Sequence, residues 1–308
     1  MKPAIQIDNV HKHYGDVHAL KGLSLSIEKG EFFGLLGPNG AGKSTLINII
    51  AGLTRLDSGQ VSVMGHDVVS RYRQSRQSLG VVPQELVFDP FFSVREILKI
   101  QAGYFGKAKQ SSAWIETLLE GLNLTDKADS NMRALSGGMK RRVLIAQALV
   151  HKPEVVILDE PTAGVDVELR SSLWQFIKAL HNDGHTIVLT THYLEEAENL
   201  CQRIAIVNQG QLVALDSKES LLARGVGSTC TVSVTLTKPI KKLTESLRDK
   251  LKSCDGNRIE FVLNRDTDTI ISLVDSLRTI GAEIIDLRTE DADLEDVFME
   301  LTRKQANG

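Results

Sequence analysis

Residues 37–45 read Gly37-Pro38-Asn39-Gly40-Ala41-Gly42-Lys43-Ser44-Thr45, which fits the phosphate-binding pattern G-x-x-x-x-G-K-[ST]. An apolar run typical of a buried strand, Phe32–Leu36, precedes it, and an apolar helical pattern, Leu46–Ala51, follows it. Glycines in such a loop let backbone N–H groups turn toward a polyphosphate, and the helix N-terminus adds positive potential. We therefore expect this loop to bind a nucleotide, with Lys43 reaching the outer phosphates and the Ser44 hydroxyl ligating Mg²⁺.

The composition predicts a globular chain with a sizeable core and no nucleic-acid partner. Of 308 residues, 42% are hydrophobic and 24% are charged, and the formal net charge is -3. We expect no signal peptide, because the N-terminal residues 1–6 contain no apolar h-region. We expect no transmembrane segment, because no run approaches the ~18 apolar residues that span a bilayer. The 3 cysteines are scattered and lack metal-ligand spacing, so we expect reduced thiols in a cytosolic protein.

Short apolar runs alternate with helical patterns up to about Arg224, which predicts an α/β domain. The predicted strands are Ile5–Val10, Leu23–Ile27, Gln60–Val63, Leu79–Val82, Val155–Asp159, Thr186–Thr190 and Leu212–Asp216, and a short predicted helix from Ser217 closes the unit. The predicted helices are Val94–Tyr104, Trp114–Leu122, Lys140–His151 and Glu168–Asn182. Ser93, followed three residues later by Glu96, fits a capping box at one helix start.

A glycine-containing linker at 225–228 suggests a boundary between a domain of residues 1–225 and a second one of residues 226–308. In the second domain we predict strands at Cys230–Leu236, Arg258–Leu263 and Glu283–Leu287. We predict helices there over Leu243–Lys252 and Thr269–Ile280 and from Leu294 onward. The pattern is that of a small α/β domain, and we find no catalytic motif in it.

Two carboxylates, Asp159 and Glu160, end the predicted strand at 155–159. At the carboxyl end of a parallel strand they would lie in the ligand crevice beside the phosphate loop. Asp159 is then placed to hold Mg²⁺, directly or through water, and Glu160 to polarise an attacking water as general base. Two acids in a solvated turn would be an equally good interpretation if the phosphate loop were absent.

A second glycine pair, in Leu135-Ser136-Gly137-Gly138-Met139, stands at the start of another predicted helix. Ser136 is placed as an N-cap, and Gly137 and Gly138 expose backbone N–H groups, which makes a second anion site. Taken alone, the segment would be an ordinary glycine-rich helix entry. We interpret the basic run that follows, 140–142, as a solvated helix face.

Together these motifs resemble the ATP-binding cassette (ABC) family, the nucleotide-binding subunits of ABC transporters. Residues 37–45 resemble its Walker A, 135–139 its signature motif, 158–162 its Walker B, 163–166 its D-loop, 190–192 its switch histidine and 82–84 its Q-loop. The resemblance covers essentially residues 1–224. It implies a P-loop fold with a RecA-like parallel core, an antiparallel β subdomain and a helical subdomain.

The resemblance also implies roles for single residues. Tyr14 falls where an aromatic ring stacks on adenine, His192 where a histidine contacts the γ-phosphate, and Gln84 where an amide ligates Mg²⁺ on a mobile hinge. From the residues alone, Tyr14 could also be a surface tyrosine, His192 a hydrogen-bonded histidine at a strand end, and Gln84 a polar loop residue. Met139 departs from the glutamine that usually ends the signature, and this change removes no phosphate or metal ligand.

In the family, two cassettes stack head to tail, so that each ATP lies between one subunit's Walker A and the other's signature. A single copy of each motif implies pairing with a second cassette subunit, most simply as a homodimer. The loop Gln84–Ser93 is expected to receive an integral membrane permease at the cytoplasmic face of the inner membrane. The flanks at 158–166, 191–198 and 293–298 resemble bacterial ABC-2 type exporter subunits.

Three other classes of cassette ATPase differ from this chain in the length of their insertions or in the number of their motifs, or stay open as alternatives. A DNA-maintenance ATPase would need a long insertion between Gln84 and Ser136, and only a short segment lies there. A translation factor with paired cassettes would need a second Walker A. A non-transport ATPase that signals through its second domain stays open as the alternative function.

Overall fold

The structure, a computed structural model, describes residues 2–107, 111–163, 167–191, 193–225, 229–240, 243–264, 267–291 and 294–306. The chain divides into two compact units, residues 1–217 and 218–308. The sequence placed the boundary at residue 225, after the helix Lys218–Gly225. That helix packs against the last helix of the chain, Leu294–Ala306, and therefore belongs to the second unit.

The elements of the first unit agree with those predicted and add several more. Its strands are β1 (Ile5–Tyr14), β2 (Val17–Ile27), β3 (Phe32–Leu36), β4 (Ser58–Val63), β5 (His66–Asp67), β6 (Leu79–Val82), β7 (Val155–Asp159), β8 (Thr186–Thr190), β9 (Arg203–Asn208) and β10 (Gln211–Ser217). Its helices are α1 (Lys43–Ile50), α2 (Tyr72–Gln77), α3 (Val94–Tyr104), α4 (Ser112–Gly121), α5 (Gly137–Leu149), α6 (Val167–Asn182) and α7 (Leu194–Leu200). The sequence did not predict β5, β9, α2 or α7.

A six-stranded sheet in the order β10-β9-β3-β8-β7-β6 forms the centre of this unit. All its strand pairs are parallel except that of β10 with β9. Strands β3, β7 and β8 are buried along their whole length, as expected for parallel strands covered on both faces. The register aligns Leu35 with Thr190 and Thr190 with Asp159, so the segments after these three strands emerge at one edge.

Helix α1 shares one hydrophobic core with both sheets of the unit. The second sheet is antiparallel, in the order β2-β1-β4-β5, and residues such as Ile7 and Val61 pack in the same cluster as Leu46 and Ile49 of α1. Each such aliphatic side chain contributes roughly 1.5–3 kcal/mol on full burial. The phosphate loop is therefore anchored at its helical end by a fully packed helix.

Helices α3, α4 and α5 pack on one another and correspond to the expected helical subdomain. The predicted capping box at the start of α3 is confirmed, because the Ser93 side chain accepts from the Glu96 N–H and the Glu96 carboxylate accepts from the Ser93 N–H. Helix α5 also contacts β6, which connects this subdomain to the edge of the central sheet.

The second unit is built on an antiparallel sheet in the order β12-β13-β11-β14. Its elements are α8 (Lys218–Gly225), β11 (Thr229–Leu236), α9 (Glu245–Arg248), β12 (Leu251–Asp255), β13 (Arg258–Asn264), α10 (Ile270–Thr279), β14 (Ile284–Asp291) and α11 (Leu294–Ala306). Its core contains Val232, Val234, Phe261 and the α10 residues Leu273 and Leu277.

The helix predicted over Leu243–Lys252 is wrong in its second half. Only α9 is helical there, and Leu251 already pairs with Phe261 as β12 forms a hairpin with β13. Asp255 pairs with Arg258, so the two-residue turn of that hairpin is Gly256-Asn257, with Gly256 at φ 59°, and this hairpin outweighed the local helical pattern. Across the described parts of both units, no helix has the length and hydrophobicity needed to cross a bilayer.

Candidate functional site

The phosphate loop between β3 and α1 runs so close to neighbouring backbone that two of its positions require glycine. A Cβ atom added to Gly37 would lie 2.2 Å from the carbonyl oxygen of Val207, and one added to Gly42 would lie 2.7 Å from that of Ala19. Gly42 also has φ 103°, a conformation that disfavours other residues, at the N-cap of α1. The sequence pattern is therefore explained by close backbone approach.

Backbone hydrogen bonds fix this loop to its neighbours. Within the loop, the Ala41 N–H donates to the Pro38 carbonyl at 3.1 Å. The Gly210 N–H, in the turn between β9 and β10, donates to the Ala41 carbonyl at 2.9 Å, and the Lys21 N–H of β2 donates to the Gly210 carbonyl at 2.9 Å. The loop is thus tied to both sheets of the unit.

The ammonium of Lys43 lies over the loop that precedes it. Its Nζ donates to the carbonyl oxygens of Gly37 at 2.6 Å and Pro38 at 3.1 Å. Burial lowers the pKa of this ammonium, whereas the charges of Glu160 and Asp159 act to raise it. A cation in this position can interact with a phosphate group held by the loop.

Asp159 ends β7 as a buried carboxylate. The Thr190 hydroxyl of the adjacent strand donates a hydrogen bond to its Oδ1. Burial raises the pKa of Asp159, and the hydrogen bond from Thr190 acts in the opposite direction. A buried carboxylate oriented by a hydroxyl is a suitable ligand for a hard cation.

Glu160, the next residue, is held in an unusual backbone conformation. Its φ is 47°, and its N–H donates to the backbone oxygen and to the hydroxyl of Thr190, both at 3.1 Å. The Gln84 amide Nε2 donates to Glu160 Oε2 at 3.0 Å. A left-handed residue that is not glycine costs of order 1–3 kcal/mol, and such strain concentrates at functional sites.

A cavity of about 580 Å³ brings most of the predicted nucleotide-binding residues together. It is lined by Asn39, Gly40, Ala41, Gly42, Lys43, Ser44, Thr45, Gln84, Asp159 and Glu160, together with residues 16–19, Lys21 and Gln209. Tyr14 does not line it, although its cross-strand partner Val17 does. The predicted His192 and D-loop positions 164–166 lie outside the described residues.

The signature segment lies apart from this cavity. Ser136 is confirmed as the N-cap of α5, because its Oγ accepts from the Met139 N–H at 3.3 Å. Ser136 and Gly137 are exposed to solvent, and neither of them nor Gly138 lines the cavity. The two predicted anion sites of the chain are therefore separate surfaces.

The interpretation of residues 140–142 as a solvated face is wrong for Arg141, which is 4% exposed. The turn of α5 directs this side chain inward, where its guanidinium donates to the carbonyl oxygens of Pro83 and Gln84, both at 2.6 Å. Arg142 donates to the carbonyl oxygens of Leu122 at 2.9 Å and Asn123 at 3.3 Å. Neither pairing could be read from the charge run, because both partners lie far away in the sequence.

Sequence reasoning also missed a buried carboxylate at Glu196 in α7. Glu196 Oε1 accepts from the Thr162 hydroxyl at 2.7 Å, and Oε2 accepts from the Thr191 hydroxyl at 2.9 Å. Arg170 Nε lies 3.6 Å from Oε1. Glu196 therefore joins the segment after β7 to the segment after β8. A lone glutamate in an acidic helix gives no signal of this role.

Comparison with known proteins agrees with this site. A family model described as ABC transporter matches residues 20–163. The chain is 39% identical over 307 residues to a Nod factor export ATP-binding protein I of Burkholderia pseudomallei (strain K96243), with 98% of this chain and 97% of the relative aligned. The chain belongs to the ATP-binding subunits of ABC transporters. It therefore binds ATP and hydrolyses it.

Two further similarities extend this assignment. The linearmycin resistance ATP-binding protein LnrL of Bacillus subtilis (strain 168) is 36% identical over 308 residues, covering 97% of this chain and 98% of LnrL. A solved ATP-binding cassette, dimeric and in a post-hydrolysis state with ADP and Pi, superposes with a TM-score of 0.63 at 28% identity. That match covers 69% of this chain and 98% of the cassette, so it concerns the ATPase unit.

Replacing Glu196 is expected to destabilise the first unit. Glu196→Ala removes the acceptor of two hydroxyls that are 1% and 2% exposed, so the free energy of unfolding should fall by about 2–4 kcal/mol. Glu195→Ala, an exposed neighbour in α7, is the matched control and should change it by less than about 0.5 kcal/mol. Urea unfolding measures both; equal midpoints for the two variants would contradict the assigned network.

Proposed function

We propose that this chain powers export through a separate integral membrane permease, of the ABC-2 type. The full-length similarity to a Nod factor export protein and a linearmycin resistance protein supports this proposal. The ATPase unit works at the cytoplasmic face of the inner membrane, attached through the permease. The observation that carries the enzymatic part is the convergence of the phosphate loop, Gln84, Asp159 and Glu160 on one cavity.

The loop residues 37–45 hold the phosphates of ATP in this proposal. Their backbone N–H groups and the N-terminus of α1 supply positive potential, and Lys43 adds a full charge. Tyr14 stands at the end of β1, half-exposed, with Val17 beside it on the wall of the cavity. Its ring offers the adenine a flat apolar face next to that wall.

Magnesium is the cation that the donor set fits. Asp159, Ser44 and Gln84 offer a carboxylate, a hydroxyl and an amide oxygen, all on the same cavity, and Mg²⁺ prefers such oxygen ligands. When bound there it would neutralise charge on the β- and γ-phosphates. Asp159 is preorganised for this role, because Thr190 fixes the orientation of its carboxylate.

Glu160 acts as the general base for the attacking water in this proposal. The strand register brings it to the phosphate loop, and Gln84 fixes one of its oxygens. Lys43 holds the phosphates in the same cavity. The Glu160 carboxylate takes a proton from a water molecule as that water attacks the phosphate, and the ammonium of Lys43 stabilises the negative charge on the phosphates. His192, which follows β8, is proposed as the γ-phosphate contact that completes the reaction.

The signature segment of one chain covers the ATP of a second chain in this proposal. Ser136, Gly137 and Gly138 are the first residues of a capped helix, and they lie outside the cavity of their own chain. Two copies arranged head to tail would place each helix N-terminus on the partner's phosphates. The dimeric relative with ADP and Pi supports this arrangement, and a homodimer is its simplest form.

The permease docks on the loop between Gln84 and Ser93. This loop exposes four large apolar side chains, at 36–78% of their surface: Leu86, Val87, Phe91 and Phe92. Contiguous exposed apolar groups of this kind mark interaction surfaces. Because the same loop begins at Gln84, force on it reaches the residue that contacts Glu160.

Replacing the base should separate ATP binding from hydrolysis. Glu160→Gln keeps the size of the side chain and should retain ATP affinity while slowing phosphate release at least ~10²-fold. Lys43→Ala should instead lose tight ATP binding, because the only ammonium on the loop is removed. Nucleotide titration and phosphate release measure the two effects; near-normal turnover by Glu160→Gln would remove Glu160 from the role of base.

A charge on the docking loop should separate ATPase activity from permease binding. Phe91 is 78% exposed, so Phe91→Asp should fold and hydrolyse ATP normally, yet lose co-purification with the membrane permease. Leu53→Asp, at a residue that is 72% exposed elsewhere in the unit, is the matched control and should still co-purify. If Phe91→Asp co-purified with the permease like the unaltered chain, the permease would dock on a surface other than the loop between Gln84 and Ser93.

A further inference from the structure

Arg141 makes contacts that none of the motif assignments explains. It lies in the second turn of α5, 4% exposed, and its two terminal nitrogens each donate to one carbonyl oxygen at 2.6 Å. The two carbonyls belong to consecutive residues, Pro83 and Gln84, so the planar guanidinium spans the backbone of the loop that follows β6. A lysine cannot reproduce this contact, because its ammonium is a single point rather than a fork.

These hydrogen bonds connect α5 to Glu160 through a short chain of contacts. Arg141 fixes the backbone of Gln84, and the Gln84 side chain donates to Glu160 Oε2 at 3.0 Å. Glu160 is itself held at its backbone by Thr190. The carboxylate is therefore located from two sides, by β8 through its main chain and by α5 through its side chain.

The burial of the Arg141 guanidinium indicates that this side chain holds the loop at 83–84, rather than only filling space in the core. Placing a guanidinium in the interior costs several kcal/mol unless its donors are paired and a counter-charge is near. Two carbonyl acceptors are within hydrogen-bond distance of Arg141, and Asp159 and Glu160 contribute favourable charge to it. The cation is thus stabilised by the same loop and the same acids that form the hydrolytic site.

We propose that Arg141 is a positioning residue for ATP hydrolysis, which holds the loop at 83–84 so that Gln84 orients the Glu160 carboxylate. The inference rests on the proposed role of Glu160 as the base. It has a structural consequence for the pair of subunits, because α5 begins with Ser136 at the signature segment. The helix proposed to reach the partner's nucleotide is therefore connected to the base of its own chain through Arg141 and Gln84.

The test compares neighbouring arginines of one helix in steady-state ATP hydrolysis. Arg141→Lys should lower kcat about tenfold, the cost of one charged hydrogen bond, with KM and ATP affinity within about twofold of the unaltered chain. Arg142→Lys, whose carbonyl contacts lie at the end of α4, should leave kcat within about twofold. Arg141→Gln lacks both the charge and the planar fork of the guanidinium, so its kcat should be equal to or lower than that of Arg141→Lys.

A double-mutant cycle decides whether Arg141 acts through Gln84. Gln84→Ala should lower kcat by itself, and adding Arg141→Lys to it should lower kcat by less than about twofold more, because the orienting amide is already gone. Fully multiplicative losses would overturn the inference, as would a normal kcat in Arg141→Lys or equal kcat losses in the Arg141 and Arg142 variants. Glu160→Gln separates the two proposals: if it is inactive while Arg141→Lys is normal, only the positioning role fails.

Discussion

The parallel register of β3, β8 and β7 is the constraint on which the site depends. Leu35, Thr190 and Asp159 form one row across these strands, so their following segments leave the sheet at the same edge. The last residue of β6, Val82, pairs with Leu158, the residue before Asp159 in β7. The loop that begins with Gln84 therefore leaves β6 beside the same edge of the sheet. Sheet pairing alone therefore brings phosphate-binding and acidic groups together.

Buried polar groups then fix the positions of these segments. Asp159 is oriented by a threonine hydroxyl of the neighbouring strand, Glu196 joins the segments after β7 and β8, and Arg141 holds the loop after β6. Each is expensive to bury and each has its partners on a different element, so a displacement of one element would leave a buried group unpaired. Such a network makes the geometry around Glu160 precise.

Most of the fold and the cavity could be predicted from the sequence. The central strands are short apolar runs, and close backbone approach requires glycine at fixed positions of the phosphate loop. The network could not be predicted, since Glu196 and Thr162 are 34 residues apart and Arg141 looks like part of a solvated charge run. The failed helix at Leu243–Lys252 has the same origin: pairing of β12 with β13 outweighed local propensity. Non-local contacts decided each case.

The central claim is that one chain holds half of an ATP site, with the phosphate loop and the exposed Ser136 segment on separate surfaces. The most direct measurement is the mass in solution, by light scattering, of the purified Glu160→Gln chain with saturating ATP and magnesium. The account predicts twice the monomer mass with ATP and the monomer mass with ADP, and loss of the larger species when Ser136→Arg blocks the helix N-terminus. A chain that binds ATP yet stays monomeric would contradict the account.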